Sequence, residues 1–233
     1  MSTVSTRIDG NVLVVTMDDG KVNALSFAAI EALESAINEA ETNPEIGAMV
    51  LAGRPGKFCA GFDLSVIQGG DQADIIKLVS GGGGVVHRTY TANVPVVAAC
   101  TGHAVAAGAL LLLGCDVRIG PDDTGTKIGL NEVAIGLSLP GWALTIARDR
   151  LSRRHLQQAV ATARIYGGPG AVDAGYLDET APADQVMEVA IRRAHELATT
   201  LDARAYGATI RALRSETADQ MAAQLDSDRQ MAQ

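Results

Sequence analysis

The amino-acid sequence predicts an α/β domain that is followed by a mainly helical C-terminal part. In the first half, short runs rich in β-branched residues alternate with segments whose apolar residues recur at helical spacing. From Gly141 onward the pattern is mostly helical. Apolar residues make up 47% of the 233 residues, enough for a sizeable core, and the 20% that are charged argue against general disorder.

The chain is predicted to begin with a β-hairpin and a helix. Val12–Met17 is a β-branched run that ends in an Asp-Asp-Gly turn, and Val4–Ile8 can pair with it around a turn at Asp9. Ser26 is a suitable N-cap for the helix, because apolar residues then recur at helical spacing until Pro44.

A buried strand, a loop and an interrupted helix are predicted next. Ala48–Ala52 is an apolar strand that Gly53–Gly56 ends, and Phe58–Asp63 is a loop of small residues. Asp71–Val79 has the pattern of a helix. The run Gly81–Gly84 is expected to break that helix as a mobile connection, because glycine weakens helices.

Strands and helices continue to the C-terminus. Pro95 introduces a strand at Val96–Cys100, and a helix that is apolar on every side follows within Ala104–Leu113. Val117–Gly120 is predicted to be a further strand. Asp184 is the expected N-cap of a helix that runs to Thr200.

Charge and cysteine content exclude several classes of function. The net charge of −8 argues against binding to nucleic acid or to anionic membranes, which favour basic surfaces. The three cysteines are odd in number and form no CxxC pair, which argues against a disulfide framework or a zinc site. The longest apolar run is far shorter than the roughly 20 residues of a membrane span. We therefore expect a cytoplasmic protein without a bound metal.

The stretch Cys100–Trp142 carries the strongest signs of chemistry. A small-residue loop, which lets a backbone approach a ligand closely, leads into the apolar helix. A lone carboxylate, Glu132, follows in apolar surroundings. Such a carboxylate is a candidate for a raised pKa and for proton transfer, although an isolated glutamate is more often a solvated loop residue.

Four blocks of sequence, taken in order, resemble the crotonase (enoyl-CoA hydratase/isomerase) superfamily. They are Val22–Leu25, Phe58–Leu64, Gly102–Asp116 and Ile128–Trp142, and Ala171–Asp178 is a weaker fifth. The resemblance implies a spiral of ββα units with a helical C-terminal trimerisation region. It places the acyl-CoA site in residues 1–180 and assigns residues 181–233 to helices that pack on the core and on neighbouring subunits, in a homotrimer or a dimer of trimers.

The resemblance also implies a substrate and site residues. The substrate is an acyl-CoA thioester, and no separate cofactor is expected because coenzyme A is part of the substrate. The thioester oxygen is held by the backbone N–H groups of Phe62 and Ala107. The adenine and pantetheine path is lined at Ala24, Ala60 and Leu64. The nearest basic candidates for phosphate contact are Lys21, Arg54 and Lys57.

One departure from the hydratase pattern suggests which reaction is catalysed. Hydratases of the superfamily use two glutamates, and the position of the first is occupied here by Leu110. The second falls on Glu132. The Δ3,Δ2-enoyl-CoA isomerases also have leucine there, the sequence I-G-L-N-E before the base, and a Pro-x-Trp after it, as at Pro140–Trp142.

The resemblance therefore implies an enoyl-CoA isomerase in which Glu132 is the only base. Leu110, Leu139 and Trp142 are expected to line the acyl side, to raise the pKa of Glu132 and to exclude water. Two alternatives stay open. One is an enoyl-CoA hydratase of low activity, and the other is a catalytically silent acyl-CoA-binding protein.

Overall fold

The computed structural model describes residues 3–231 and contains two β-sheets wrapped by helices. The strands are β1 (Val4–Asp9), β2 (Val12–Met17), β3 (Ala48–Gly53), β4 (Gly56–Cys59), β5 (Val96–Ala99), β6 (Gly102–Val105), β7 (Val117–Pro121), β8 (Ile128–Gly129) and β9 (Glu179–Ala181). The larger sheet has the order β1-β2-β3-β5-β7-β9, with β1 antiparallel to β2 and the other pairs parallel. The smaller sheet, β4-β6-β8, is parallel.

The helices follow the strands and dominate the second half. They are α1 (Phe27–Thr42), α2 (Leu64–Gly69), α3 (Gln72–Thr91), α4 (Ala107–Gly114), α5 (Gly141–Arg150), α6 (Arg153–Val160), α7 (Gly168–Ala174), α8 (Val186–Thr200) and α9 (Ala203–Met231), with a one-turn 3₁₀ helix at Val133–Ile135. Among the described residues, no helix combines the length and the apolar character that crossing a bilayer requires.

The chain passes from the larger sheet to the smaller one three times, at β3–β4, β5–β6 and β7–β8. Helices follow each passage, which is the expected spiral of ββα units. The first two passages need glycine at the corner. A Cβ on Gly53 would lie 2.2 Å from the carbonyl oxygen of Lys57, and one on Gly102 would lie 2.0 Å from the carbonyl carbon of Gly56. The predicted break at Gly53–Gly56 is therefore a sharp corner that leads directly into a strand.

Apolar side chains pack on both faces of the larger sheet. One face packs against α1, α3 and α4, and every residue of α4 is buried, as its sequence predicts. The other face is covered by α8 through Val186, Ala190 and Ala194. The long helix α9 packs along α3 and α5. The division into residues 1–180 and 181–233 stays a prediction.

Local capping chemistry predicted the start of α1 correctly and the start of α8 incorrectly. The side chain of Ser26 accepts a hydrogen bond from the N–H of Ala29 at the start of α1, as expected. The Asp184 prediction was wrong by one position, because Gln185 is the N-cap residue of α8 and contributes no side-chain cap.

The three cysteines are buried and unpaired, and burial raises the pKa of each thiol to about 12.

The predicted break at Gly81–Gly84 was wrong, because α3 continues through all four glycines. Helix propensity disfavours this run, but side chains from neighbouring elements pack directly on its backbone. A Cβ on Gly83, for example, would lie 2.6 Å from the indole of Trp142. Tertiary packing therefore overrides the local preference, and the segment is a buried part of the core.

A buried ion pair holds α9 to the sheet. Arg214 donates to a carboxylate oxygen of Asp116 at 2.7 Å and to the carbonyl of Tyr90 at 2.6 Å, and its guanidinium lies 4.5 Å from the centre of the Tyr90 ring. The other oxygen of Asp116 accepts from the N–H of Val96, the first residue of β5. The side chains of Arg214 and Asp116 are only 8% and 13% exposed.

We expect Arg214→Leu to lower the free energy of unfolding by about 3–5 kcal/mol, because it leaves the buried carboxylate of Asp116 without its cation. Urea unfolding followed by circular dichroism measures the change. Arg229→Leu is the matched control, since Arg229 is an exposed residue of the same helix whose pair with Asp226 should contribute less than about 1 kcal/mol. Equal losses in the two variants would contradict a special role for Arg214.

Candidate active site

Three segments that carry predicted site residues lie at one edge of the smaller sheet. Because β4, β6 and β8 are parallel, their carboxyl ends fall on the same side. The residues just beyond these ends are Gly61-Phe62, Ala106-Ala107 and Asn131-Glu132. The N–H of Ala106 donates to the carbonyl of Gly129 at 3.0 Å, which extends the alignment of the last two segments beyond the strands. The structure thus gathers residues that are distant in sequence.

The backbone N–H groups of Phe62 and Ala107 take no part in the hydrogen bonds of the surrounding loops. Phe62 forms a short parallel bridge with Leu25, in which Leu25 N–H donates to Gly61 and Asp63 N–H donates to Leu25. Alternate backbone groups of an extended segment point to opposite sides, so the Phe62 N–H faces away from this bridge. Within the described part of the chain, neither N–H donates a hydrogen bond.

The loops that carry these two donors touch each other. A Cβ on Gly61, whose φ is 100°, would lie 3.0 Å from the Cβ of Ala106 and 3.8 Å from the nitrogen of Ala107. One on Gly108 would lie 2.1 Å from the carbonyl oxygen of Cys59, so the first turn of α4 rests directly on the end of β4. Only glycine permits these approaches, which fix the two donors relative to each other.

Ala106 adds a strained backbone at the same point. Its φ of 52° and ψ of −125° belong to a region that side chains disfavour. Such strain costs on the order of 1–3 kcal/mol and is concentrated at functional sites. It turns the chain sharply from β6 into α4, so that the N–H of Ala107 lies at the positive end of the helix dipole.

Two polar residues that sequence reasoning missed support the loop before α1. The carboxylate of Asp19 accepts from the N–H groups of Lys21, Asn23 and Ala24 at 2.7–3.0 Å. The buried amide of Asn23, whose φ is 59°, donates to the carbonyls of Met17 and Lys57 at 2.9 Å each. Together they tie β2, β4 and the loop into one unit. An Asp-x-x-x-Asn pattern before a strained turn is the signal that could have indicated them.

Glu132 is the carboxylate at this edge. It begins the 3₁₀ helix, and its carbonyl accepts from the N–H groups of Ile135 at 3.0 Å and Leu137 at 2.9 Å, which fix its backbone. Its Oε2 is buried and has no hydrogen-bond partner among the described residues. Burial raises the pKa of this carboxyl above its ordinary value, and a backbone hydrogen bond opposes the shift only in part. The carboxylate of Glu132 therefore takes up a proton more readily than that of an exposed glutamate.

The three apolar residues that were predicted to surround Glu132 pack in the hydrophobic core. Leu110 and Trp142 are almost completely buried, and Leu139 is half-buried and packs against the same cluster. Trp142 is fully buried in the core, and its expected place on the acyl side stays a prediction. Leu110 lies about one turn into α4 from Ala107, and its side chain is buried there.

Several residues of the segments around the candidate site have a buried polar atom without a hydrogen-bond partner in the described part of the chain. Within residues 3–231 there are five such atoms, and four of them belong to Asn131, Glu132, Trp142 and Tyr176. Tyr176 was not predicted from sequence. Its ring lies 5.9 Å from that of Tyr166, which pairs with Ile128 of β8. The pKa of its hydroxyl is raised mainly by burial, and the negative charge of Glu132 contributes in the same direction. Its position in Ala171–Asp178, where the resembling segment has leucine, could have indicated it.

Only some of the residues that were predicted to line the coenzyme A path lie close together. Ala24 and Ala60 are half-buried in neighbouring loops, since the N–H of Ala60 faces the carbonyl of Asn23 at 3.4 Å. Leu64 is the first residue of α2, and its side chain is 57% exposed. Arg54 donates to the carbonyl of Lys21 at 3.1 Å, which places two of the basic candidates beside this loop. Their contact with phosphate stays a prediction.

The chain matches the family model described as enoyl-CoA hydratase/isomerase over residues 7–233. Among curated proteins it is 29% identical over 184 residues to the mitochondrial enoyl-CoA delta isomerase 1 of Mus musculus. That match covers 78% of this chain but 64% of the mouse protein, so the chain spans slightly less than two thirds of its relative.

Two solved structures of one Mycobacterium tuberculosis protein are also similar. One, described as an apo enoyl-CoA isomerase, is 37% identical with a TM-score of 0.91 and 97% coverage of both chains. The other, described as a probable enoyl-CoA hydratase, is 38% identical with a TM-score of 0.92 and covers 96% of this chain and 93% of its own. The similar proteins thus carry the names of both activities.

The buried carboxylate predicts a pH-dependent cost in stability. Because the pKa of Glu132 is raised in the folded state, folding disfavours its charged form. The resulting loss of folding stability is complete above the folded-state pKa, and it vanishes as the pH falls below the unfolded-state pKa. We expect Glu132→Gln to raise the melting temperature by a few degrees at neutral pH, since about 1 kcal/mol corresponds to roughly 2–4 °C in a chain of this size.

Thermal unfolding at several pH values measures this effect. The gain should shrink as pH falls toward the ordinary pKa of a glutamate, because the wild-type carboxyl becomes protonated in both states. Glu216→Gln, on an exposed part of α9, is the control and should change the melting temperature little at any pH. A gain that is constant with pH would argue against a raised pKa.

Proposed function

This chain belongs to the enoyl-CoA hydratase/isomerase family, and within it we propose that the protein shifts the double bond of a 3-enoyl-CoA to the 2 position. The observation that carries the proposal is the carboxylate of Glu132, whose buried Oε2 has no hydrogen-bond partner among the described residues, at the sheet edge that also carries two backbone N–H groups without an acceptor there. A 1,3 shift needs one base that is used twice, whereas adding water is helped by a second carboxylate that orients it. Leu110 stands where that second carboxylate would be.

The proposed reaction begins with the removal of a proton. Glu132 takes the proton from C2 of the substrate, and the electron pair of the C–H bond forms a dienolate that ends on the thioester oxygen. The N–H groups of Phe62 and Ala107 donate to this oxygen as its negative charge develops. Preorganised donors of this kind each contribute on the order of 3 kcal/mol to transition-state stabilisation.

The reaction ends when the proton is returned at C4. Glu132, now a neutral acid, donates the proton to C4, and the double bond re-forms between C2 and C3, in conjugation with the thioester. No atom is gained or lost, so no water and no further reactant are needed. The proposed mechanism requires only that one carboxylate can reach both carbons from one face.

The environment of Glu132 suits this double role. A general base works best when its pKa is close to the operating pH, and burial moves the pKa of Glu132 in that direction. The apolar side chains of Leu110, Leu139 and Trp142 would keep water from the dienolate. Coenzyme A would enter as part of the substrate, along the loops of Ala24, Ala60 and Leu64. The expected homotrimer or dimer of trimers is part of the same proposal.

Hydration of a 2-enoyl-CoA is the second candidate function. The specific support is the similar Mycobacterium tuberculosis structure described as a probable hydratase. In this chain such a reaction would depend on Glu132 alone to activate water. Because the partner carboxylate is replaced by a buried leucine, hydration is expected to be the slower of the two reactions.

We expect purified protein to convert a 3-enoyl-CoA into the conjugated 2-enoyl-CoA, which is detected by its ultraviolet absorbance. Glu132→Gln should lower kcat/KM by about 10³-fold or more, the upper part of the range for general acid–base catalysis, because the amide cannot accept the proton. Glu216→Gln should retain wild-type activity. Hydration of a 2-enoyl-CoA is followed in parallel by the loss of the same absorbance.

The outcomes separate the candidates. A conjugated product whose formation depends on Glu132 supports the isomerase. Faster hydration than isomerisation, with the same dependence on Glu132, would favour the hydratase. A folded wild-type protein that binds acyl-CoA and turns over neither substrate would contradict both and leave a silent acyl-CoA-binding protein.

A further inference from the structure

Helix α3 contains four consecutive glycines, Gly81–Gly84, at its centre. Each glycine in a helix lowers its stability by roughly 0.5–1 kcal/mol relative to alanine, so the four glycines together disfavour the helical conformation of this segment. The cost is not explained by backbone conformation, because none of the four has a positive φ. Close packing against neighbouring elements is the remaining reason, and the four positions differ sharply in what they contact.

Gly82 supports the loop that carries the first proposed oxyanion donor. A Cβ on Gly82 would lie 2.4 Å from Cε1 of Phe62 and 3.0 Å from Cδ2 of Leu25. These two residues are partners in the parallel bridge that orients the loop. The aromatic ring of Phe62 therefore rests on bare helix backbone, and the position of its N–H depends on the absence of a side chain at Gly82.

Gly83 supports Trp142 in the same way. A Cβ on Gly83 would lie 2.6 Å from Cε2 of the indole and 2.6 Å from Cδ2 of Leu225, a residue of α9. Trp142 is completely buried and follows Glu132 on the adjoining segment of chain. The indole, on the first turn of α5, thus packs against the bare backbone of α3 at Gly83, where Leu225 of α9 also approaches.

The outer two glycines have no such role. A Cβ on Gly81 would meet only the end of Ile30, at an ordinary contact distance of 3.5 Å. One on Gly84 would lie 3.3 Å from a guanidinium nitrogen of Arg229, at the flexible end of an exposed side chain. The run therefore contains two glycines that packing requires and two that it does not, which provides an internal control.

We propose that Gly82 and Gly83 are positioning residues. Through them, α3 fixes the positions of the Phe62 N–H and of the Trp142 side chain. These positions determine the rate of turnover and the length of acyl chain that the site accepts. This inference rests on the proposed function. Gly82 acts on the charge that develops during the reaction, because Phe62 carries an oxyanion donor. Gly83 acts on the space available to the acyl chain, because Trp142, which packs on Gly83, is expected to line the acyl side.

The test compares four variants with the same chemical change: Gly81→Ala, Gly82→Ala, Gly83→Ala and Gly84→Ala. Gly82→Ala is expected to lower kcat for isomerisation by about 10- to 100-fold for every acyl length with little change in KM, because a displacement of about 1 Å can cost that much. Gly83→Ala is expected to raise KM more for long acyl chains than for short ones. Gly81→Ala and Gly84→Ala should retain kcat and KM within about twofold, and their melting temperatures should be equal or higher.

Compensating changes distinguish positioning from a merely structural role. If the Phe62 ring transmits the effect, Gly82→Ala combined with Phe62→Leu should recover much of the lost kcat, because leucine removes the colliding ring atoms. Gly83→Ala combined with Trp142→Phe should likewise restore the binding of long acyl chains. Melting temperatures of all variants show whether kinetic changes follow stability instead.

The results separate this inference from the proposed function. Active wild type with unchanged kinetics in Gly82→Ala and Gly83→Ala would overturn the inference alone. So would losses that follow the melting temperature and resist both compensating changes. A wild type that does not isomerise 3-enoyl-CoA would overturn the proposed function and this inference together.

Discussion

The parallel alignment of three short strands is the constraint on which the site depends. β4, β6 and β8 contribute only a few residues each, yet their carboxyl ends bring the loops of Phe62, Ala107 and Glu132 to one edge. Side chains alternate along a strand, so a slip of one residue would turn each loop away. Glycines at the corners and at the start of α4 allow the backbone contacts that prevent such a slip.

This edge of the smaller sheet carries features that lower stability. Ala106 has a strained backbone, and Asn131 and Glu132 each have a buried side-chain oxygen without a hydrogen-bond partner among the described residues. Each of these features is unfavourable for folding, and such features are found where a binding partner or a reaction justifies them. The surrounding apolar core and the buried pair of Arg214 with Asp116 provide the compensating stability.

Local features of this fold could be predicted from sequence, whereas its long-range contacts could not. Ser26 was identified as a cap because capping involves only the next few residues. The run Gly81–Gly84 was misjudged because its helix is held by side chains from three other elements. The site residues were identified through resemblance to a family, since nothing local indicates that Glu132 and Phe62 lie at the same sheet edge. Asn23 and Tyr176 were missed because the sequence signals that mark them are weak and some of their partners are distant in sequence.

The contact of Leu225 with Gly83 has a consequence for how the chain matures during synthesis. The strands, both donor loops and Glu132 are made long before α9 emerges, and domains generally fold from the N-terminus as they are synthesised. Until α9 arrives, the faces of α3 and α5 on which it packs are uncovered. The nascent protein therefore passes through a stage in which the segments of the candidate site exist but part of the apolar surface around α3 and α5 is open to water and to other chains.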